Sequence, residues 1–168
     1  KNPTEEQRFN YRGLTGCLNF YNSEFNNTEI NVIYGGCEDS LNLVNSSGKL
    51  KSVAIRNAYA DALDIDFSKI EIEDLNVEKA SNDCFDVSGG LYTIKNSRLY
   101  FCADKGVSVG ERSQVYFEKL NIEGVAIGIS SKDLSQVYVN EAKVSSSKFC
   151  YEVFQKKQEF GGTSLNVD

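Results

Sequence analysis

The sequence predicts an all-β chain wound as a right-handed parallel β-helix, and three observations carry that expectation. Apolar and polar residues alternate in short segments, the period of a half-buried strand. The segments recur about every 22 residues without a gap, the mark of a solenoid with one such strand per unit. Proline occurs once in 168 residues, at Pro3, which suits a backbone that must donate in continuous ladders.

The first strand of each coil is the clearest. Segments Glu38–Leu43, Ala60–Ile65, Asn82–Val87, Asp104–Val109 and Ala126–Ser131 align Leu41, Leu63, Phe85, Val107 and Ile129 in one column. Two positions on, Leu43, Ile65, Val87 and Val109 form a second apolar column that Ser131 breaks. Asn42, Asp64, Asp86, Ser108 and Ser130 lie between the two and face the other way. A second strand is read from Ile72, Ile94, Phe117 and Val139, each preceded two residues earlier by Ile70, Tyr92, Val115 and Val137. A third follows from Ile55, Val77, Leu99, Ile122 and Val144. The step lengthens from 22 to 23 between Ile94 and Phe117, which a one-residue turn insertion absorbs. Three short strands per coil and about seven coils result, stacked at about 4.8 Å. A helical solenoid is the rival; too few segments show helical periodicity, and Val, Ile, Tyr and Phe crowd the strand positions.

The chain is read as one domain over 1–168, with residues 1–13 and 148–168 as caps that keep the terminal edges from pairing. Its Lys-Asn-Pro start is read as that of a processed or excised piece of a larger protein. No run has the roughly 18 apolar residues of a membrane span, and no signal peptide is visible. A net charge of −6 without a basic stripe argues against a nucleic-acid partner. It leaves room for an acidic polysaccharide where a cation intervenes. The five cysteines are read as buried thiols, with Cys17 and Cys37 the one pair worth checking. Cys84 and Cys150 share a column but lie three coils, about 14 Å, apart, too far to bridge. Asn26-Asn27-Thr28 and Asn45-Ser46-Ser47 match the glycosylation triplet, a pattern frequent by chance.

Acidic residues gather at the start of three successive coils: Asp61, Asp64 and Asp66, then Asp83 and Asp86, then Asp104. Register stacks Asp61 below Asp83 and Asp64 below Asp86, and like charges one strand apart repel. A bound Ca²⁺ held by Asp64 and Asp86, a nearby Lys, or a retained proton would relieve them. Alternatively, the side chains fan into solvent, where repulsion is screened. Lys105 takes the column of Asp39, Asp61 and Asp83, one coil above Asp83, as an ion-pair partner or, were burial to lower its pKa, as a base. Arg112 is a second candidate cation, or one more exposed turn charge. With no His, Ser-His and Cys-His pairs and His-liganded zinc are excluded. With no Trp, only the nine Tyr remain for stacking on sugars.

Residues 59–112 resemble the core of polygalacturonases, the β-helix hydrolases that cut pectin. Tyr59-Ala60-Asp61-Ala62-Leu63-Asp64-Ile65 is similar to that family's Asn-Thr-Asp-Gly strand, and Ser81-Asn82-Asp83-Cys84 to its Gly-Asp-Asp-Cys motif. Asp104-Lys105-Gly106-Val107-Ser108-Val109-Gly110 is similar to its Gly-His-Gly-Ile-Ser-Ile-Gly segment. The resemblance implies catalytic roles for Asp61 and Asp83. The expected general acid is Asn82, which cannot protonate a leaving oxygen, and Lys105 replaces the His. Of the family's Arg-Ile-Lys segment only Lys132 is a loose counterpart. A looser likeness in chemistry connects the cluster to Ca²⁺-dependent β-helix polysaccharide lyases, in which Lys105 would be the base.

Two functions follow as expectations. One is a carbohydrate-directed domain of the extracellular space or cell surface. It binds, and in its enzymatic version cleaves, an acidic polysaccharide or surface glycan. Asp61, Asp83 and Lys105 would be its catalytic set, Asp64, Asp66, Asp86, Asp104 and Arg112 would bind substrate, and Ca²⁺ would be the cofactor. The other is a non-catalytic structural or interaction module of a larger surface protein.

Overall fold

The computed structural model describes residues 13–168, which form a right-handed parallel β-solenoid of fourteen strands in two seven-stranded sheets. The short-strand sheet stacks β1 (Gly16–Tyr21), β3 (Asp39–Val44), β5 (Asp61–Asp66), β7 (Phe85–Ser88), β9 (Lys105–Gly110), β11 (Ile127–Lys132) and β13 (Phe149–Phe154). The long-strand sheet stacks β2 (Glu24–Ile33), β4 (Ser47–Ala58), β6 (Lys69–Ala80), β8 (Leu91–Cys102), β10 (Gln114–Glu123), β12 (Gln136–Ser145) and β14 (Ser164–Val167). The second and third strands read from each coil run on as one long element. Pairing pauses midway, at Lys51, Glu73, Lys95 and Glu118, a row of alternating charge with Lys95 3.6 Å from Glu73.

The columns read from the sequence are the core. Leu41, Leu63, Phe85, Val107 and Ile129 are fully buried one above another, with Leu43, Ile65, Val87 and Val109 beside them. Phe85 meets Phe117 of the opposite sheet edge to face, ring centroids 6.1 Å apart. The extra residue between Ile94 and Phe117 sits in the turn after β9, where Glu111 and Arg112 both adopt positive φ against Gly89 alone one coil earlier.

Each coil turns two corners on left-handed residues. Asn45, Phe67 and Gly89 stack at one, and Asn57, Lys79, Phe101 and Gly124 at the other. Phenylalanine at positive φ is strained, and both cases share one arrangement. The ring lies over a glycine of the next coil, where an added Cβ would come within 2.7 Å of Phe67 or 2.6 Å of Phe101. Serines line the first corner: Ser46 Oγ accepts the Ser23 N–H at 3.1 Å, and Ser68 Oγ accepts that of Ser46 at 2.9 Å. The next coil has Gly90 there, and the Tyr92 hydroxyl fills the vacated position, donating toward the carbonyls of Ile65 and Ser88, each at 3.0 Å.

The cysteines correct the expectation of buried thiols. Cys17–Cys37 and Cys84–Cys102 are disulfides, and Cys150 is free and exposed. Cys102 continues the column of Ala58 and Ala80 at the end of a long strand, which brings it back to the start of its own coil beside Cys84. The expected N-terminal cap, apart from Gly13, and Pro3 lie outside the described residues. Residues 148–168, expected as the other cap, supply β13 and β14, the terminal strands of both sheets.

Candidate functional site on the short-strand face

Alternation along each short strand turns one polar residue per coil away from the apolar core, and parallel pairing stacks them; Asp64 and Asp86 are half-buried, while Asn42, Ser108 and Ser130 are buried. Asn42, Asp64, Asp86 and Ser108 are in direct register, followed by Ser130 and Glu152. Neighbours in this row bond to each other. The Asn42 amide donates to Asp64 Oδ2 at 2.9 Å, and the Ser130 hydroxyl donates to Glu152 Oε2 at 3.2 Å. Lys132, almost fully buried, reaches back along the sheet and donates from Nζ to Ser108 Oγ at 2.8 Å. It lies over Gly110, whose missing side chain leaves room for the lysine stem.

A second row begins each short strand. Asp61 Oδ1 accepts the Asp83 backbone N–H and the Asn82 side-chain amide, both at 2.7 Å. Asp83 Oδ1 accepts the Lys105 backbone N–H at 2.9 Å and has the Lys105 ammonium at 3.5 Å, and Asp104 holds the same ammonium from the other side. These carboxylates therefore continue the inter-coil ladder where the main chain turns.

The acids do not fan into solvent, and burial is the main cause of their shifts. It pushes Asp61 from 3.8 up to about 7, helped by the charges of Asp83, Asp86 and Asp39, while the Asp83 N–H opposes. Asp83 rises to about 6 from burial and Asp86, with Lys105 pulling back. Asp66 rises to about 6 through burial and the charges of Asp86 and Glu111. Burial, then Asp66, Asp39 and Asp86, hold Asp64 well above the ordinary range. Asp86 is raised by burial and drawn back by Lys132 and the Ser108 hydroxyl. Retained protons thus relieve the stack below about pH 6–7, most of all at Asp61 and Asp64. Lys105 feels burial as a downward pull, but its bonds to Asp104 and Asp83 outweigh it and hold the ammonium above its ordinary value. That is opposite to what a lysine base needs.

Of the sequence candidates, the structure brings together Asp61, Asp64, Asp66, Asp83, Asp86, Asp104 and Lys105. Arg112 stands apart, at the corner after β9, with its guanidinium 5.4 Å over the Phe160 ring. Asp64 and Asp86, the Ca²⁺ candidates, adjoin Asn42 and Ser108, and among the described residues no three acidic or cysteine side chains converge as a metal site. Two members were under-read. Asp39 is only 2% exposed, is raised to about 6 by burial, and has Oδ2 without a hydrogen-bond partner among the described residues. Lys132, named from the sequence only as a loose counterpart of the Arg-Ile-Lys segment, also stands in the column of Asp66, Ser88 and Gly110. A separate groove of about 750 Å³ runs along the outer face of the long strands, lined by Lys49, Glu71, Leu91, Thr93, Tyr116 and Tyr138.

Comparison of the chain with protein-family models, with curated proteins and with solved structures gives no match. The β-solenoid therefore stands on its own geometry, and the likeness of residues 59–112 to polygalacturonases on the motifs alone.

Proposed function

We propose that the domain binds an acidic polysaccharide along the outer face of the short-strand sheet. The observation that carries this is the half-buried acid cluster Asp61, Asp64, Asp66 and Asp86, with Asp64 and Asp86 in register on adjacent coils about 4.8 Å apart and braced by the buried Asn42 and Ser108. A linear polymer lying along the solenoid axis meets Asp64 and Asp86 at two successive coils. Of the carboxyls that keep their protons toward pH 6–7, the half-buried Asp61 and Asp66 donate to sugar hydroxyls and uronate carboxylates instead of repelling them. Lys105 and Lys132 add positive charge. Above that range the ionised acids repel a uronate, and there a calcium ion between Asp64, Asp86 and the polymer would be needed. Asn82 in place of the acid, and the engagement of Asp61 and Asp83 by backbone N–H groups, favour binding without cleavage. The two disulfides favour an oxidising compartment such as the cell surface.

That same engagement of Asp61 and Asp83 favours the second reading, a non-catalytic structural module. Titration calorimetry with pectate and alginate oligomers at about pH 5 and about pH 8, with and without calcium, separates them. The binding reading expects calcium-free affinity to rise roughly tenfold or more toward pH 5, with Lys132→Ala weakening it and mass spectrometry finding intact oligomers. No binding under any condition would leave the structural module, and unsaturated or water-added fragments would restore the lyase or hydrolase.

A further inference from the structure

We propose that a second copy of this chain docks antiparallel on the free edge of β13, joining two solenoids end to end about a two-fold axis. The short-strand sheet pairs β13 with β11 alone, so its outer edge carries unpaired N–H and C=O groups among the described residues. The core reaches this edge uncovered. Tyr151 continues the column of Leu41, Leu63, Phe85, Val107 and Ile129, all fully buried, yet is 45% exposed, and Val153 and Phe149 are more exposed still. Everywhere below, the next coil covers these positions.

The edge sequence Phe149-Cys150-Tyr151-Glu152-Val153-Phe154 holds no proline, glycine or lysine to discourage pairing. Its occupant follows from self-complementarity. Antiparallel pairing centred on Cys150 sets Lys148 opposite Glu152 on both sides of the axis and Phe149 opposite Tyr151 twice. Strand alternation places Cys150 and Glu152 on one face and Phe149 and Tyr151 on the other, with Lys148 in the bend just before β13. Aromatic rings therefore meet on one face, and opposite charges meet where each strand begins, in an isologous contact that closes at two copies. Glu152 retains an oxygen besides the one that accepts from Ser130, and the Lys148 ammonium lies at the surface, 5.3 Å over the Phe149 ring. Cys150 meets its own counterpart at the axis, at a separation a disulfide spans.

Sedimentation equilibrium from micromolar to near-millimolar protein tests this. The full chain should sediment at twice 18.7 kDa at the upper end. Glu152→Lys, which sets lysine against lysine, should weaken dimerisation about tenfold or more. Lys148→Glu with Glu152→Lys should restore it, and melting curves should show all three proteins folded. Diamide, taking two protons and two electrons from a pair of thiols, should link the wild type through Cys150 and leave Cys150→Ser unlinked. A monomer at every concentration overturns the proposal, as does a dimer that ignores Glu152→Lys, fails to recover in the double variant, or cannot be linked through Cys150.

Discussion

Replacing Asp61 with asparagine should stabilise this protein, and the gain should grow with pH. Folding lifts the Asp61 carboxyl from 3.8 to about 7, chiefly by burial, so the folded state holds a proton that the unfolded chain has released. The sign follows from linkage: stability is greatest below about pH 4 and is lost as pH rises through about 7. At about 1.4 kcal/mol per unit, the shift opposes folding by up to about 4 kcal/mol near pH 8. Asparagine keeps the carbonyl oxygen that accepts the Asp83 N–H at 2.7 Å, and it carries no charge toward Asp83 and Asp86. A chain of this size gains about 2–4 °C in Tm per kcal/mol, so the ceiling is roughly 8–16 °C. Scanning calorimetry of both proteins between about pH 4 and about pH 8, at low salt, reads the effect. The melting temperatures should nearly coincide at the acid end and diverge toward the alkaline end. An equal loss of Tm at both ends would refute the reasoning, because it would mean that the folded state uses an ionised Asp61.

Thiol titration of the denatured, unreduced chain should find one reactive thiol, Cys150, and five after reduction; Cys84→Ser with Cys102→Ser should cost about 3 kcal/mol, as an 18-residue separation implies, whereas unchanged melting would deny that bridge a role. Tyr92→Ile should cost about 1–3 kcal/mol by leaving the corner carbonyls unpaired. Adding Gly90→Ser should not recover this, because its Cβ would meet the Ser68 carbonyl oxygen at 2.3 Å, and melting curves that show full recovery would refute that close approach. Gly124→Ala should destabilise by about 1–2 kcal/mol because φ is +68° and the new methyl meets the Phe101 ring; Phe101→Ala in the same chain should reduce the penalty, and independence of the two would refute the stacking.

The solenoid was legible because its core is a one-dimensional pattern. Leu41, Leu63, Phe85, Val107 and Ile129 must share a column once alternation and period are both fixed, and the structure stacks them without a slip. Stacking of Asp64 on Asp86 followed from the same arithmetic. What it could not supply was direction and distance around the coil. Cys84 and Cys102 belong to different columns, and only the path of the long strand around its corner brings them together. The Tyr92 hydroxyl standing in for a serine, and Lys132 reaching over Gly110 to Ser108, depend likewise on where long side chains end. Arg112 shows the converse: close in sequence to the acids, it is turned away by the inserted corner residue and packs on Phe160.

Amide chemical-shift mapping with an oligogalacturonate at about pH 5 tests the central claim most directly. Binding on the short-strand face predicts perturbations centred on Asp61, Asp64, Asp66 and Asp86 that fade as the pH is raised toward 8. Perturbations confined to the Tyr116 and Tyr138 groove of the opposite sheet, or none at millimolar ligand, would contradict it.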